Sequence, residues 1–86
     1  MHYIYVLKSL KNNKQYVGLT SKEPFKRLEE HHRGTALWSR RNGPFQLIYQ
    51  EQYDSKAFAQ KREKFLKSGH GREFLKKKLS RLDLLA

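Results

Sequence analysis

Runs of apolar and polar residues alternate along the chain and predict three strands. Residues 3–9 are β-branched, aromatic or apolar for the most part, which is typical of a strand. Residues 11–14 have the sequence Lys-Asn-Asn-Lys and predict a turn, because asparagine tolerates left-handed backbone conformations. Residues 15–19 follow as a second strand, so the pair predicts a β-hairpin. A third strand is predicted over residues 45–53, around an apolar run at 47–49.

A helix is predicted after the hairpin. Thr20 and Glu23 have the spacing of a capping box, and Pro24 is tolerated in a first helical turn. Gly34 is expected to end this helix. Residues 35–44 lack apolar periodicity and predict a loop. The side chains expected on the buried face of the helix are Phe25, Leu28 and His32.

Two further helices are predicted after the third strand. Asp54 or Ser55 can cap the first of them, which runs to about Lys67. Gly-His-Gly at 69–71 is expected to break it, and an amphipathic helix follows. The side chains expected to face inward are Phe58, Phe65 and Leu66, then Phe74, Leu75, Leu79 and Leu82. The order ββαβαα predicts a small α/β sandwich, in which helices cover a three-stranded sheet.

Length and composition restrict the class of protein. Eighty-six residues predict one domain over 1–86 with one modest core. The longest apolar stretches fall far short of the roughly 20 residues that span a membrane, and the first residues already have a strand pattern, so neither a membrane anchor nor a secretory signal is expected. Without cysteine there are no disulfides and no thiolate metal sites. These features are compatible with a cytoplasmic protein.

The charge points to a polyanionic partner. Nineteen Lys and Arg against eight Asp and Glu give a net charge of +11. Most of the excess lies between residues 56 and 81, so the C-terminal third is the expected anchor on phosphate, with strongly salt-dependent binding. Nucleic acid is the commonest partner of such a chain, and a ribosomal, protein or anionic lipid surface is the alternative.

Two tyrosines are candidates for chemistry. Tyr5 and Tyr16 fall on neighbouring strands of the hairpin, where they could pack across the sheet or present phenolic oxygens to an attacking water. A tyrosine has an ordinary pKa near 10, so a role as a base needs nearby positive charge. Arg27 and Lys26 are candidates for that charge.

Three polar side chains on the predicted helices could complete such a site. Arg27 and His31 are four residues apart, hence on one helical stripe, where the guanidinium could grip phosphate oxygens and the imidazole could move a proton. A solvated face is the alternative for the arginine. Glu63, at the core boundary of its helix, could hold one Mg²⁺ that keeps most of its waters, or pair with a neighbouring lysine.

Other residues are candidates for contacts with nucleic acid. Gly18 lies where a backbone can approach a ligand closely, although a simple bend also explains it. Trp38 could stack on a base or close one end of the core. The full set of candidates is Gly18, Lys26, Trp38, Arg40, Arg41, Arg62, Arg72, Lys76 and Lys77.

Taken together, these motifs resemble the GIY-YIG nuclease superfamily. Tyr3-Ile4-Tyr5 and Tyr16-Val17-Gly18 resemble its two named motifs, Arg27 to His31 its Arg-x-x-x-His helix, and Glu63 its metal-binding glutamate. The segments 43–49 and 59–63 are similar to short stand-alone bacterial members, which resemble the N-terminal nuclease domain of the bacterial excinuclease. Two positions depart from the pattern: Tyr3 replaces the first glycine, and a family asparagine has no match in 64–71.

The resemblance implies a three-stranded antiparallel sheet flanked by helices and Mg²⁺-dependent DNA cleavage that leaves a 5′-phosphate, with Mn²⁺ as a substitute. It assigns catalysis to Tyr5, Tyr16, Arg27, His31 and Glu63, with Glu63 as the metal ligand. No groove-reading helix is evident, so recognition of DNA structure is expected over recognition of sequence. A role in repair or recombination is implied by the resemblance alone. The alternatives are an RNA substrate and a non-catalytic DNA- or RNA-binding module on the same fold. A monomer is slightly favoured.

Overall fold

The strands form one antiparallel sheet in the order β2-β1-β3. The computed structural model describes the backbone of residues 1–33 and 37–85 and the side chains of residues 1–33 and 40–79. Its elements are β1 (His2–Ser9), β2 (Gln15–Thr20), α1 (Pro24–His32), α2 (Leu37–Asn42), β3 (Phe45–Tyr53), α3 (Lys56–Lys67) and α4 (Gly69–Leu85). The predicted three-stranded antiparallel sheet with flanking helices is confirmed. Asn13, in the hairpin turn, has a φ of 63°, as expected for asparagine there.

The central strand β1 is buried on both faces of the sheet. Alternate side chains of a strand point to opposite faces. Ile4 and Val6 therefore pack against Leu66 and Leu75 of α3 and α4. Tyr5 and Leu7 pack on the other side of the sheet. There they are covered by Leu28 of α1, which is half-buried. The site residues carried by α1 and those carried by α3 thus belong to opposite layers.

The buried stripe of α1 is displaced by one position from the predicted one. Pro24, Leu28 and His31 face the sheet, with Pro24 fully buried and His31 8% exposed. Phe25 was expected inside and is 60% exposed. His32 is also exposed, with its ring stacked on the ring of Phe45. The helix is rotated because the His31 ring reaches inward to β1.

Helix α3 likewise buries a narrower stripe than expected. Ala59 and Leu66, seven residues apart, are fully buried. Phe58 was expected to face inward and is 66% exposed, and Phe65 is 38% exposed. The prediction for Leu66 and Leu75 is confirmed. Leu82 lies outside the residues whose side chains are described.

The predicted helix caps are partly wrong. Glu23 is the N-cap of α1 and makes no side-chain capping bond, while the Thr20 hydroxyl accepts the N–H of Lys22 at 3.0 Å. Pro24, as predicted, opens the helix, and its fixed φ suits that position without a cap. Ser55 caps α3 through Oγ, which accepts the N–H of Phe58 at 3.4 Å. The predicted helix end at Gly34 lies outside the described residues.

The predicted loop over 35–44 contains the short helix α2. Tertiary contacts hold it, which is why it shows no apolar period. The Asn42 carbonyl accepts the Ser9 hydroxyl, the Arg41 carbonyl accepts Lys11 Nζ at 3.3 Å, and the side chains of Asn12 and Asn42 are bonded at 2.8 Å. The turn of the hairpin thus binds the C-terminal end of α2.

The break between α3 and α4 is made by Ser68, not by the Gly-His-Gly segment. Ser68 has an extended backbone, its hydroxyl donates to the Phe65 carbonyl, and its Oγ accepts the N–H of Gly71 at 3.2 Å. Gly69 to Gly71 form the first turn of α4. A Cβ on Gly71 would lie 2.0 Å from the Phe65 carbonyl oxygen, so the close approach of the two helices needs this glycine.

Candidate active site

Three of the predicted catalytic residues meet on the α1 side of the sheet. Tyr5 projects from the centre of β1 and is 1% exposed. Its hydroxyl lies 3.2 Å from Nε2 of His31, and Nε of Arg27 donates to it at 3.3 Å. The four-residue spacing in α1 places both partners on the stripe that faces β1. One phenol therefore contacts an imidazole and a guanidinium at once.

Tyr16 is part of the same cluster. It is half-buried in β2, directly across from Leu7, on the sheet face that carries Tyr5. Its ring centroid lies 6.1 Å from that of Tyr5 and 5.5 Å from that of His31, with an edge-on arrangement to the imidazole. The hairpin and α1 thus bring together four of the five residues predicted to act in catalysis.

Gly18 has a role in this cluster that the sequence did not reveal. It is the cross-strand partner of Tyr5 and is buried. A Cβ at this position would lie 2.3 Å from both Cζ and the hydroxyl oxygen of Tyr5. The missing side chain makes room for the Tyr5 ring, which fixes the direction of its hydroxyl. Contact of Gly18 with nucleic acid stays a prediction.

Burial keeps the His31 ring neutral. Removal from solvent lowers the pKa of His31 below its ordinary value of 6.5, and the charges of Arg27 and His32 lower it further, against an opposing influence of Glu30. The ring is therefore uncharged at pH 7. A neutral imidazole in contact with a hydroxyl can accept a proton.

Burial also keeps Tyr5 protonated. Desolvation raises the pKa of Tyr5 to about 12, and the nearby Tyr16 adds to it, although the hydrogen bond from Arg27 acts in the opposite direction. Arg27 thus acts in the predicted direction and lowers the pKa of Tyr5, but desolvation outweighs this attraction and keeps the phenol protonated. Tyr5 can only pass on a proton as it receives one.

An acidic side chain that the sequence did not single out orients Arg27. Glu30 accepts from Nη1 of Arg27 at 2.6 Å and from Nζ of Lys22 at 2.5 Å. Both bonds lower the pKa of Glu30, and the bond from Lys22 has the larger effect. The i,i+3 spacing of Arg27 and Glu30 was the available signal. With Nε on Tyr5 and Nη1 on Glu30, the guanidinium is fixed at two points.

Glu63 lies on α3, on the other side of the sheet from Tyr5. Its side chain is 24% exposed, and Nζ of Lys67 lies 3.8 Å from Oε2, a distant i,i+4 ion pair. In the described part of the chain, no group of three or more acidic or histidine side chains could enclose a metal ion. A half-open carboxylate with one distant partner suits a divalent ion that keeps most of its waters, so the donor chemistry at Glu63 fits the implied metal.

Arg62 has a task other than the predicted one. Its guanidinium forms a two-point ion pair with Glu51, Nε to Oε1 at 2.9 Å and Nη2 to Oε2 at 3.0 Å. It also lies over the rings of Phe65 and Phe74, 5.0 and 4.7 Å from their centroids. Arg62 therefore joins β3 to α3 and α4, and its contact with nucleic acid stays a prediction.

Two tyrosines complete the network around Glu51. Tyr49 and Tyr53 donate hydroxyl bonds to its two oxygens, at 2.5 and 2.7 Å. Burial alone would raise the pKa of Glu51, but the bonds from Arg62, Tyr49 and Tyr53 together outweigh it and lower the pKa. None of these contacts was predicted from the sequence. The two-residue spacing of Tyr49, Glu51 and Tyr53 on one strand face was a usable signal, whereas eleven residues separate Glu51 from Arg62.

The other basic candidates are on the surface. Six of the basic side chains predicted to contact nucleic acid are exposed: Lys26, Arg40, Arg41, Arg72, Lys76 and Lys77. The side chain of Trp38 lies outside the described part.

No helix in residues 1–33 and 37–85 is both long and apolar enough to cross a membrane.

The sheet, the α1 helix and the Tyr-Tyr-Arg-His cluster define a nuclease-type fold of the GIY-YIG class. The chain belongs to the GIY-YIG family: residues 1–78 match the family described as the GIY-YIG catalytic domain. That family is a nuclease superfamily, so the substrate expected at family level is a nucleic acid.

Two relatives are short proteins of similar length. UPF0213 protein SSP2268 of Staphylococcus saprophyticus is 40% identical over 68 residues, which cover 78% of this chain and 80% of that protein. UPF0213 protein CPE1444 of Clostridium perfringens is 38% identical over 68 residues, which cover 78% of this chain and 71% of that protein. No solved structure matches the chain significantly.

Proposed function

We propose that the protein is a metal-dependent DNA endonuclease that hydrolyses a phosphodiester bond to leave a 5′-phosphate. The observation that carries the proposal is the contact of one buried phenol, Tyr5, with both His31 and Arg27 in a chain of a nuclease family. Surface lysines and arginines, with no groove-reading helix in the described part of the chain, favour recognition of DNA structure over sequence. We place this activity in DNA repair or recombination in the cytoplasm.

The hydrogen bonds around Tyr5 provide a path for the proton of the attacking water. Because Nε of Arg27 donates to the phenolic oxygen, the hydroxyl proton of Tyr5 is free to point at Nε2 of His31. Water gives its proton to the Tyr5 oxygen as the Tyr5 proton moves to His31; in the route through Tyr16, water gives its proton to the Tyr16 oxygen, the Tyr16 proton passes to Tyr5 and the Tyr5 proton to His31. The water oxygen bonds to phosphorus, the bond from phosphorus to the 3′-oxygen breaks, and the 3′-oxygen leaves as an alkoxide that takes a proton from solvent. No resting phenolate is needed.

Arg27 stabilises the charge on the phosphate. A guanidinium has five N–H donors. In Arg27 the Nε–H donates to Tyr5 and one of the two Nη1 hydrogens donates to Glu30. The remaining donors can face the non-bridging oxygens of the phosphate, and Glu30 holds the fork in position for them. This rigid placement favours the transition state, where the negative charge is greatest.

Glu63 is the residue proposed to hold the divalent ion, Mg²⁺ or Mn²⁺. When bound, such an ion supplies charge stabilisation at the departing oxygen. The carboxylate contributes one negative charge and an open side toward solvent, with Lys67 as its neighbour.

A cleavage panel tests the proposal. Labelled single-stranded, duplex, flap and branched DNA, and RNA, are incubated with Mg²⁺, Mn²⁺ or EDTA. We expect cutting only with metal, and a loss of about a hundredfold in Glu63→Gln. Glu73→Gln, the same change on an exposed position of α4, is the control and should cut normally. If no substrate is cut under any metal while DNA is still bound, the non-catalytic binding module is correct instead.

The rate should depend on pH through His31. Protonated His31 cannot accept a proton, so kcat/KM should fall at acid pH with a midpoint below 6.5, the direction in which burial moves the pKa of His31. Above that midpoint the rate should stay level, because the pKa of Tyr5 is about 12. In His31→Gln this acid limb should be absent, and an NMR titration of His31 should give the same midpoint. A rate that rises tenfold per pH unit toward pH 10 would contradict this scheme and favour a phenolate base.

A further inference from the structure

A groove lies between β2, an edge strand of the sheet, and the corner where α3 meets α4. Its volume is about 620 Å³. The buried side chains of Val17, Leu66 and Leu75 form its floor. Because these three belong to the main core, the floor is rigid, and the groove exists without any rearrangement.

The charged side chains that line this groove are all basic. Lys14 lies in the hairpin turn just before β2, Lys67 is the last residue of α3, and Arg72 belongs to the first turns of α4. Lys14 and Arg72 are exposed, and the contact of Lys67 with Glu63 is a distant one of 3.8 Å. Three cations from separate elements around one groove are complementary to a polyanion.

Tyr16 belongs both to the groove and to the candidate active site. It lines the groove and lies 5.5 Å, centroid to centroid, from His31. On the opposite wall, Lys67 is one helical turn beyond Glu63. The groove thus has Tyr16 on one side and the helix that carries Glu63 on the other. These two parts of the candidate site lie on opposite faces of the sheet, and the groove connects them.

We propose that this groove binds a single-stranded segment of nucleic acid next to the scissile phosphate, an inference that rests on the proposed nuclease function. The volume is in the range of roughly 300–1,000 Å³ that holds one small ligand, hence a nucleotide or two of one strand. A stretch of duplex brings two nucleotides and two backbones with every base pair, and it exceeds this volume. Tyr16 supplies a ring on which an unpaired base can stack. The substrate class is therefore DNA with an unpaired segment beside the cut.

A binding experiment with a labelled oligothymidylate tests this site without any cleavage. The full chain is titrated in EDTA, and affinity is measured by fluorescence anisotropy at several salt concentrations. The groove variant combines Lys14→Gln, Lys67→Gln and Arg72→Gln. The control variant removes the same charge outside the groove lining, with Lys56→Gln, Lys61→Gln and Lys78→Gln.

The groove variant should bind at least about tenfold more weakly, and its slope of log K against log salt should be smaller by about 2, roughly 0.7 for each lost phosphate contact. The control should change affinity less than about threefold. Each single groove substitution should give part of the loss, which keeps the test valid if the triple variant does not fold. Amide NMR shifts on adding the oligonucleotide should concentrate at residues 14–17.

Several outcomes would overturn the inference. Equal losses in the two variants would mean that only net charge matters. A groove variant that also loses affinity for a blunt duplex to the same extent would mean that the groove does not select unpaired strands. Failure of the nuclease proposal looks different: the groove variant would lose oligonucleotide binding as expected, but the parent protein would cut nothing with any metal.

Discussion

Arg27→Ala should reduce metal-dependent cleavage by a factor of about 10² to 10³, the usual loss when one stabilising donor is removed from an active site. The guanidinium is fixed by Tyr5 and Glu30, so its loss removes both the charge facing the phosphate and the donor to the phenol. The measurement is kcat/KM on the best substrate of the cleavage panel. Binding of uncleaved DNA should change far less than kcat.

A second readout separates this effect from a simple loss of charge. Arg27 contributes to the low pKa of His31, after burial, so the acid limb of the rate profile in Arg27→Ala should move toward higher pH. Arg33→Ala removes the same charge from an exposed position just after α1 and should leave both rate and acid limb unchanged. Arg27→Lys should restore little, because an ammonium cannot reproduce the fork. Normal cleavage by Arg27→Ala would refute the assigned role.

Gly71→Ala should destabilise the protein by about 3 kcal/mol or more, at the upper end of what overpacking costs. The added Cβ would lie 2.0 Å from the Phe65 carbonyl oxygen and 2.4 Å from Cα of Leu66, both backbone atoms that cannot rotate aside. To relieve the contact, α4 must move away from α3. The measurement is the free energy of unfolding in urea, followed by circular dichroism.

Gly69→Ala provides a control from the same helical turn. Apart from the chain neighbours and the backbone of its own helix, no described atom lies within 4 Å of a Cβ built on Gly69, so the change should be neutral or stabilising by up to about 1 kcal/mol. The two variants differ only in what the methyl group meets. Equal stabilities would show that α4 does not pack against the end of α3 as described.

Because Arg72 and Leu75 line the groove, Gly71→Ala should also weaken oligonucleotide binding.

Much of the fold was predictable because strand and helix periods are local properties. The three strands and the long helices follow from apolar runs and turn residues. The short helix α2 was not predictable, since it is held by Ser9 and Asn12, some 30 residues away in sequence. The rotation of α1 was missed for a similar reason: Phe25 looks like a core residue, but the contacts of Arg27 and His31 with Tyr5, far away in sequence, set which face of the helix meets the sheet.

The candidate site was predictable in its residue types but not in its electrostatics. The order and spacing of Tyr5, Arg27 and His31 could be read directly, and the structure brings the three together. The protonation states of Tyr5 and His31 could not be read from the sequence, because they depend on how deeply the sheet and α1 bury the phenol and the imidazole. For Gly18 the sequence allowed either a close approach to a ligand or a simple bend, while the clash of any Cβ with Tyr5 is visible only once the strand register is known.

Hairpin tips normally tolerate inserted residues well, but this one should not. Ser9 is fully buried, and its hydroxyl both donates to the Asn42 carbonyl and accepts the N–H groups of Lys11 and Asn12. A tag or an extra residue placed in this tip would pull the serine out of register and release α2 at the same time. Because the side chain of Asn42 bonds that of Asn12 in the tip, natural variation in tip length should be accompanied by changes at Asn42, and fusion partners are better attached elsewhere.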